Sequence, residues 1–462
     1  MERRLVQKLV EWKSRKTRHP LILRGARQVG KTYLVRNLAK REFSHFLELN
    51  FEADSTLSGL FKTKDPSVIC ELLLAKYTIP IVDGETLLFL DELQAAEPCV
   101  LESLRYFFEK RPGLHVIAAG SLLEFMLDGE DGKERNFPMP VGRVEYMFVP
   151  PLDFEEFLLA AGRRGLCDWL GKWSAGIEIP DAIHEELSLW FRRFLVIGGM
   201  PAVVKAYLED DISRAEREQQ TILSTYWDDF PKYGKKASPE RLRKVFAAVP
   251  AFVGRKMIYS KIDLGEKTKD LASAFNLLCR ARVVAKVRHT PANGIPIGYG
   301  ASDGDFKPLF LDVGLVCRSL RLKLTDFLAS GDGLLQNKGE LCEQFVGQHL
   351  LYAGEEYEEP AAYFWLREAR NSAAEVDYVV QHGADIVPVE VKGGTTGSMK
   401  GLHFFMNEKH RHFAVRFNAD KPSLVENAHV RDTLGRECEF RLLSLPMYMV
   451  CQLMRLIRET KV

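Results

Sequence analysis

The chain has 462 residues, 46% hydrophobic and 27% charged, with a formal net charge of +1. This composition excludes a disordered or low-complexity chain, and the near-balance of charge excludes a polyelectrolyte, so any strong charge bias must be local. No run of about 18 apolar residues occurs, so no membrane-spanning helix is expected, and the length predicts about three domains.

The opening stretch, MERRLVQKLVEWKSRKTRHP, reads as a basic amphipathic helix and not as a secretion signal, because it lacks an apolar central region. The eight cysteines are scattered, with no C-x-x-C and no zinc-ligand spacing to histidine. They predict reduced thiols in a cytoplasmic protein.

Residues 20–32, PLILRGARQVGKT, place an apolar strand before a glycine-rich loop, and the helical pattern YLVRNLAKREF follows. This is G-x-x-x-x-G-K-[ST] in its strand–loop–helix context. Gly25 and Gly30 let the backbone of Ala26, Arg27, Gln28 and Val29 curl so that its N–H groups surround a phosphate. Lys31 is expected to contact the β- and γ-phosphates of ATP, Thr32 to ligate Mg²⁺, and Tyr33 to border the nucleotide. TLLFLDELQ (86–94) supplies the acids: Asp91 to hold Mg²⁺ through water and Glu92 to polarise the attacking water. LHVIAAGS ends at Ser121, where a hydroxyl can sense the γ-phosphate, although strands commonly end in serine for turn formation alone. With HFLELNF (45–51) and VEYMFVPP (144–151), these segments predict a five-stranded parallel sheet in a doubly wound α/β domain. Arg143 reads as a surface ion-pair residue, with an arginine finger as the alternative.

Residues 150–210 are expected to be mostly helical, broken at Gly198-Gly199 and Pro201. Residues 232–290 hold fifteen Lys or Arg against four Asp or Glu, a local surplus of +11. A helix over Leu271, Phe275 and Leu278, then VVAKVRHT, a turn and IPIGYG, outlines a winged helix. Concentrated positive charge there points to DNA or RNA contact. The competing reading is a basic surface docked on acidic neighbours such as EEYEEP (355–360). FKPLFLDVGL (306–315) reads as a short apolar strand with Asp312 capping the next helix.

In the tail, EVDYVVQHGADIVPVEVKGG (375–394) reads as a hairpin with a Gly383-Ala384 turn. That register sets Asp377 across from Glu390 and Glu375 across from Lys392, all on one face, with Val376, Tyr378, Val380, Val387, Val389 and Val391 on the other. Two facing carboxylates repel unless a divalent cation joins them. Lys392 is then expected beside the metal, where it could orient water or stabilise developing phosphorane charge. NKGELCEQFVGQHLLY (337–352) should form a preceding helix, capped by Asn337 and Glu340, and YFWLRE (363–368) a first strand. The histidines 403, 410 and 412 read as belonging to an amphipathic helix or its solvated end. The last 40 residues read as a helix and a strand.

RGARQVGKT, LLFLDELQ, AAGSLLEF, GRVEYMFVPPLDFEEFL, FLVIGGMPAVV, FLDVGL and the EVDY…PVEVKGG pair together make the chain resemble the AAA-type ATPases of bacteria and archaea that carry a C-terminal domain of uncharacterised function. The resemblance covers about residues 1–420. It implies a P-loop ATPase domain with a helical lid (1–208), a basic winged-helix-like domain (209–325) and a restriction-endonuclease-like α/β domain (326–462). It also implies that Glu343 completes a tail metal site with Asp377 and Glu390, in a D…E-x-K arrangement, and that assembly into a homo-oligomer is open to the chain. The departure from that pattern is the absence of a proline before the first acid, where the residues are Glu375-Val376-Asp377. The function expected is Mg²⁺-dependent ATP hydrolysis coupled to nucleic-acid binding or processing, with a nuclease tail; the alternative is a nucleotide-dependent switch with a non-cleaving tail.

Overall fold

The computed structural model describes residues 1–121, 142–233, 237–323, 339–367, 374–394, 398–432 and 434–461. The expected cap residue Asn337 and the basic residues Lys235 and Lys236 lie outside them.

Helix α1 (Leu5–Ser14) buries Val6, Leu9 and Trp12, a three-residue spacing that puts all of them on one face. After it come β1 (Leu21–Arg24), α2 (Lys31–Glu42), β2 (His45–Asn50), α3 (Pro66–Tyr77), β3 (Thr86–Asp91), α4 (Pro98–Lys110), β4 (His115–Ala119) and β5 (Glu145–Phe148). The strands form a five-stranded parallel sheet in the order β2-β3-β4-β1-β5. Strands β1, β3 and β4 are nearly continuous apolar runs because helices cover both faces. This order puts β4 between β1, which feeds the glycine-rich loop, and β3, which ends at Asp91. Chemistry-bearing residues at the strand ends are therefore brought together by topology.

A helical region follows: α5 (Phe154–Ala160), α6 (Arg164–Lys172), α7 (Asp181–Ile197), α8 (Pro201–Glu209), α9 (Ile212–Asp229), α10 (Pro239–Ala248) and α11 (Thr268–Arg280). Asp153 and Glu156 form a reciprocal capping box that starts α5. Strands β6 (Val284–His289) and β7 (Ser302–Phe310) pair antiparallel. IPIGYG is not the returning strand, as had been expected. Pro296 has no N–H to donate and two glycines follow, so pairing resumes only at Ser302.

The rest comprises α12 (Val313–Ser319), α13 (Gly339–Leu350), β8 (Ala362–Leu366), β9 (Glu375–His382), β10 (Asp385–Val391), α14 (Lys400–Glu408), β11 (Phe413–Asn418), β12 (Ser423–Arg431), β13 (Glu437–Pro446) and α15 (Leu453–Lys461). The last 40 residues are thus a hairpin followed by a helix, not a helix and a strand. All eight strands from β6 onward lie in one mixed sheet, ordered β12-β13-β11-β10-β9-β8-β6-β7. Strands β6 and β7, placed by the sequence in a separate middle unit ending at residue 325, are the edge of the tail's own sheet.

Asp312 stitches these regions together. Its carboxylate caps α12 by accepting from the N–H groups of Gly314 (3.0 Å) and Leu315 (3.2 Å), and it also accepts from Gly199 N–H (2.6 Å). Gly199 in turn gives its carbonyl to Leu152 N–H at 2.7 Å. No side chain fits at Gly198 or Gly199: a Cβ would stand 1.9 Å from Asp312 Oδ1 or 2.0 Å from Leu152 O, respectively. The break read from Gly198-Gly199 is therefore a crossing point. One buried apolar cluster runs from Leu9 and Trp12 through Phe194 and Phe345 to Leu456.

Candidate nucleotide site and tail acid cluster

The glycine-rich loop lies between β1 and α2. Gly30 opens α2 with φ 92°, a left-handed conformation that suits glycine. Lys31 is buried, and its ammonium donates to the carbonyls of Gly25 (2.9 Å) and Ala26 (2.8 Å). Thr32 Oγ1 donates to Asp91 Oδ2 at 3.0 Å, so the two expected Mg²⁺ contacts are adjacent. Burial, then the neighbouring Glu92 charge, push the Asp91 carboxyl up to about 6 against the Thr32 hydrogen bond. A cation beside Asp91 would reverse that cost. The loop, Lys31, Thr32 and Asp91 therefore fit a nucleotide phosphate with its metal ion.

Glu92 adopts φ 52°, a left-handed backbone that costs a non-glycine residue roughly 1–3 kcal/mol. Its side chain is held in place. Oε2 accepts from Gln94 Nε2 (2.6 Å), Ser121 Oγ (3.3 Å) and Ser121 N–H (3.4 Å). Ser121 thus meets Glu92 at the ends of neighbouring strands. Gln94 was missed from sequence, although its place two residues after Glu92 was a signal. Arg143 pairs with Glu109 at 3.0 Å on the surface.

Two residues expected at the nucleotide use their side chains elsewhere. Tyr33 is exposed, and its hydroxyl donates to Met1 O at 3.1 Å. The Arg27 guanidinium is ion-paired with Asp229 at the end of α9, and Tyr226, one turn earlier, donates to Arg27 O at 2.8 Å. Asp229 is buried, so this is a committed pair. Arg3, also missed, is buried and donates to Val29 O (3.0 Å) and Pro150 O (2.8 Å), and it pairs with Glu156 at 3.1 Å. The loop is thus gripped from α9 on one side and from the segment before α1 on the other.

In the tail, the β9–β10 ladder runs in the predicted register from Asp385 opposite His382 through Val387 opposite Val380 to Val389 opposite Tyr378 and ends there, so the predicted pairs Asp377–Glu390 and Glu375–Lys392 lie beyond it. The predicted alternation of faces fails at one point. Where β9 pairs with β8, the register shifts between Tyr363 and Trp365, a β-bulge that sets Asp377 and Tyr378 of β9 against the single residue Phe364. Val376 consequently packs with Val379 and Ile386, while Tyr378 packs with Val387, Val389 and Val391. Bulges re-aim side chains in this way.

Asp377 and Glu390 are both buried. Lys307 of β7, read at the sequence level as part of a strand without chemistry, reaches into the same region. Its side chain is 3% exposed, and its ammonium pairs with Glu343 (3.2 Å), Asp377 (3.6 Å) and Glu375. Burial would lower the Lys307 pKa, but Glu343, Asp377 and Glu375 hold it well above the usual lysine range. Asp377 Oδ2 accepts from Val391 N–H at 2.8 Å. Lys392 pairs with Glu390 at 2.6 Å. Burial first and Asp377 second push both Glu343 and Glu390 up to about 8, against Lys307 and Lys392 respectively.

The structure thus places Lys307 against Glu343 and Asp377, and Lys392 against Glu390, where the sequence predicts a metal ion. Among the described residues no group of three or more His, Cys, Asp or Glu is disposed to hold one ion. An ammonium lies among Glu343, Glu375 and Asp377, and Lys392 is paired with Glu390. The signal for Lys307 was an isolated lysine inside the apolar run FKPLF.

The basic segment also differs from expectation. Lys232, Arg241, Lys244, Arg255, Lys256, Arg282 and Arg288 all pair with carboxylates, including Arg282 with Glu359 of EEYEEP at 2.8 Å. Arg243, Lys261, Lys267 and Lys269 are exposed.

Three family matches divide the chain: an AAA domain over residues 17–158, a Domain of unknown function (DUF8612) over 188–326 and a Domain of unknown function (DUF4143) over 338–432. No curated protein matches the chain. A signal transduction ATPase with numerous domains and a tetratricopeptide repeat sensor, from Pyrococcus horikoshii, is 13% identical, with a TM-score of 0.25 over 76% of this chain and 45% of that one. The C. elegans PCH-2 structure is 13% identical, with a TM-score of 0.23 over 48% and 59%. The Aeropyrum pernix ORC1 protein in complex with DNA is 14% identical, with a TM-score of 0.24 over 70% and 92%. At such TM-scores none of the three supports a statement about this chain. The AAA match falls on the five-stranded parallel sheet and the glycine-rich loop, so this part of the chain is similar to AAA domains.

Proposed function

We propose that the chain is a nucleotide-dependent switch that binds ATP with Mg²⁺, hydrolyses it, and passes the state of the loop to the helical region and the tail. Lys31 and the loop N–H groups hold the phosphates, Thr32 and Asp91 hold Mg²⁺, and Glu92 orients water, itself oriented by Gln94 and Ser121. The bound ion supplies charge neutralisation at the phosphates.

The observation that carries the coupling is the direct attachment of the loop to α9 through Arg27–Asp229 and Tyr226–Arg27 O. A phosphate drawing Lys31 from its carbonyl partners must disturb a loop whose neighbouring residue is tied to a helix. From the lid, Gly199 continues to Asp312 and the tail sheet. The tail's resemblance to restriction-endonuclease-like domains is read here as a scaffold that does not cleave, because Lys307 neutralises the acids that cleavage would use. A second reading, nucleic-acid contact, rests on the four exposed basic residues Arg243, Lys261, Lys267 and Lys269.

Steady-state ATP hydrolysis by wild type, Lys31→Ala and Asp229→Asn tests the switch. Lys31→Ala should abolish turnover, and Asp229→Asn should alter turnover without abolishing nucleotide binding. Equal rates in all three proteins would overturn it.

A further inference from the structure

We infer that Lys307 occupies the position of a divalent cation in the tail, so that the acid cluster of α13 and β9 is neutralised from within the chain and takes up no metal ion. The inference goes beyond the nucleotide switch and is tested without ATP.

Three carboxylates from two elements converge on one ammonium from a third. Glu343 comes from α13, Glu375 and Asp377 from β9, and Lys307 from β7, at the sheet edge. The lysine is not a surface residue folded inward by chance: its ammonium lies 5.3 Å from the centre of the Phe364 ring. Each Asp377 oxygen is used, Oδ2 by Val391 N–H and Oδ1 by Lys307, so a metal ion sharing Asp377 and Glu343 would have to displace the ammonium. The bulge at Asp377-Tyr378 supports the same arrangement.

A second buried carboxylate beside this cluster has an oxygen to spare. Glu390 is 4% exposed, and its Oε2 has no hydrogen-bond partner among the described residues. Buried carboxylate oxygens are rarely left unpaired. With Lys307 shortened or made neutral, Glu343, Asp377 and Glu390 would supply hard oxygen ligands of the kind that magnesium and manganese take. A tethered ammonium also does what a free ion cannot: it locks β7, the continuation of the middle region, onto α13 and β9.

The test is Mn²⁺ binding to the full chain, followed by electron paramagnetic resonance without nucleotide, in an Asp91→Asn background that silences the P-loop site. The parent should take up no Mn²⁺ that a further Asp377→Asn change removes. Lys307→Met should gain about one equivalent, lost again on adding Asp377→Asn, and Mn²⁺ should raise its melting temperature but not the parent's. Asp377-dependent Mn²⁺ in the parent, or a folded Lys307→Met that binds none, would overturn the inference. If Lys307→Met does not fold, the parent against its Asp377→Asn variant decides alone: a difference refutes the inference and equality supports it.

Discussion

The glycine-rich loop and the tail acid cluster each bury a lysine, Lys31 and Lys307, and the two are held in different ways. At the glycine-rich loop, the Lys31 ammonium donates to the carbonyls of Gly25 and Ala26, and Asp91 accepts from the Thr32 hydroxyl. In the tail, Lys307 and Lys392 are already spent on Glu343, Glu375, Asp377 and Glu390. Electrostatics left open marks a site where a ligand completes the charge balance; electrostatics closed internally marks a structural joint.

The largest expected effect separates the two on activity. Glu92→Gln should lower ATP turnover by roughly 10²–10⁴-fold, the usual range for losing a positioned base, with nucleotide affinity retained in a fluorescent-nucleotide titration. Glu390→Ala should leave turnover within about twofold, since its carboxylate is paired with Lys392 in the tail sheet. In the same spirit, plasmid and single-stranded DNA should stay intact with wild type and Glu390→Ala in Mg²⁺ or Mn²⁺. Wild-type cleavage lost in the variant would erase the contrast.

The next effect separates them on stability. Lys307→Met takes the ammonium from buried Glu343 and leaves Asp377 with Val391 N–H, and chemical denaturation should show a loss of about 3–5 kcal/mol. Lys31→Ala removes two hydrogen bonds to carbonyls and should cost about 1–2 kcal/mol.

Asp312 sharpens the comparison because it joins the two regions. Asp312→Asn can keep Oδ1 for capping α12, but it sets an amide NH₂ against Gly199 N–H, at a cost of about 1–3 kcal/mol. Burial pushes the Asp312 carboxyl up to about 6, against the hydrogen bonds from Gly199, Leu315 and Gly314. A carboxyl raised on folding contributes stability that is fully present below its unfolded pKa near 4 and is lost as pH rises through about 6. The stability of wild type relative to Asp312→Asn should therefore fall between pH 4 and 7, by an amount on the order of 3 kcal/mol. A flat difference would show that the carboxylate is stabilised as well as it is in water.

The smallest effect concerns the basic segment. Replacing Lys267 and Lys269 by Glu should shift stability by less than about 0.5 kcal/mol. If these residues contact nucleic acid, the change should reduce the salt slope of binding by about 2. No slope change would leave only the ion-paired docking surface.

What could be read from the sequence follows from how local each feature is. The loop, β3 with Asp91 and the hairpin register from its turn as far as Tyr378 and Val389 depend on short spacings, and each lies in the structure as those spacings dictate. Lys307, Arg3 and Asp229 act across long separations in sequence, and no periodicity brings a β7 lysine to a β9 aspartate. The β-bulge at Asp377 is set by β8, a neighbouring strand, so alternation within β9 alone misplaced Val376. The basic surplus was counted correctly, but its meaning depended on carboxylates such as Glu340, Asp305 and Glu359, which only the fold brings near.

The coupling of loop to helix is most directly tested by hydrogen–deuterium exchange across α9, with and without Mg²⁺ and a non-hydrolysable ATP analogue, in wild type and Asp229→Asn. Nucleotide should change amide exchange over residues 212–229 in wild type, and the change should be lost in the variant, while the loop itself responds in both. Exchange that responds in the loop alone in wild type would contradict that coupling.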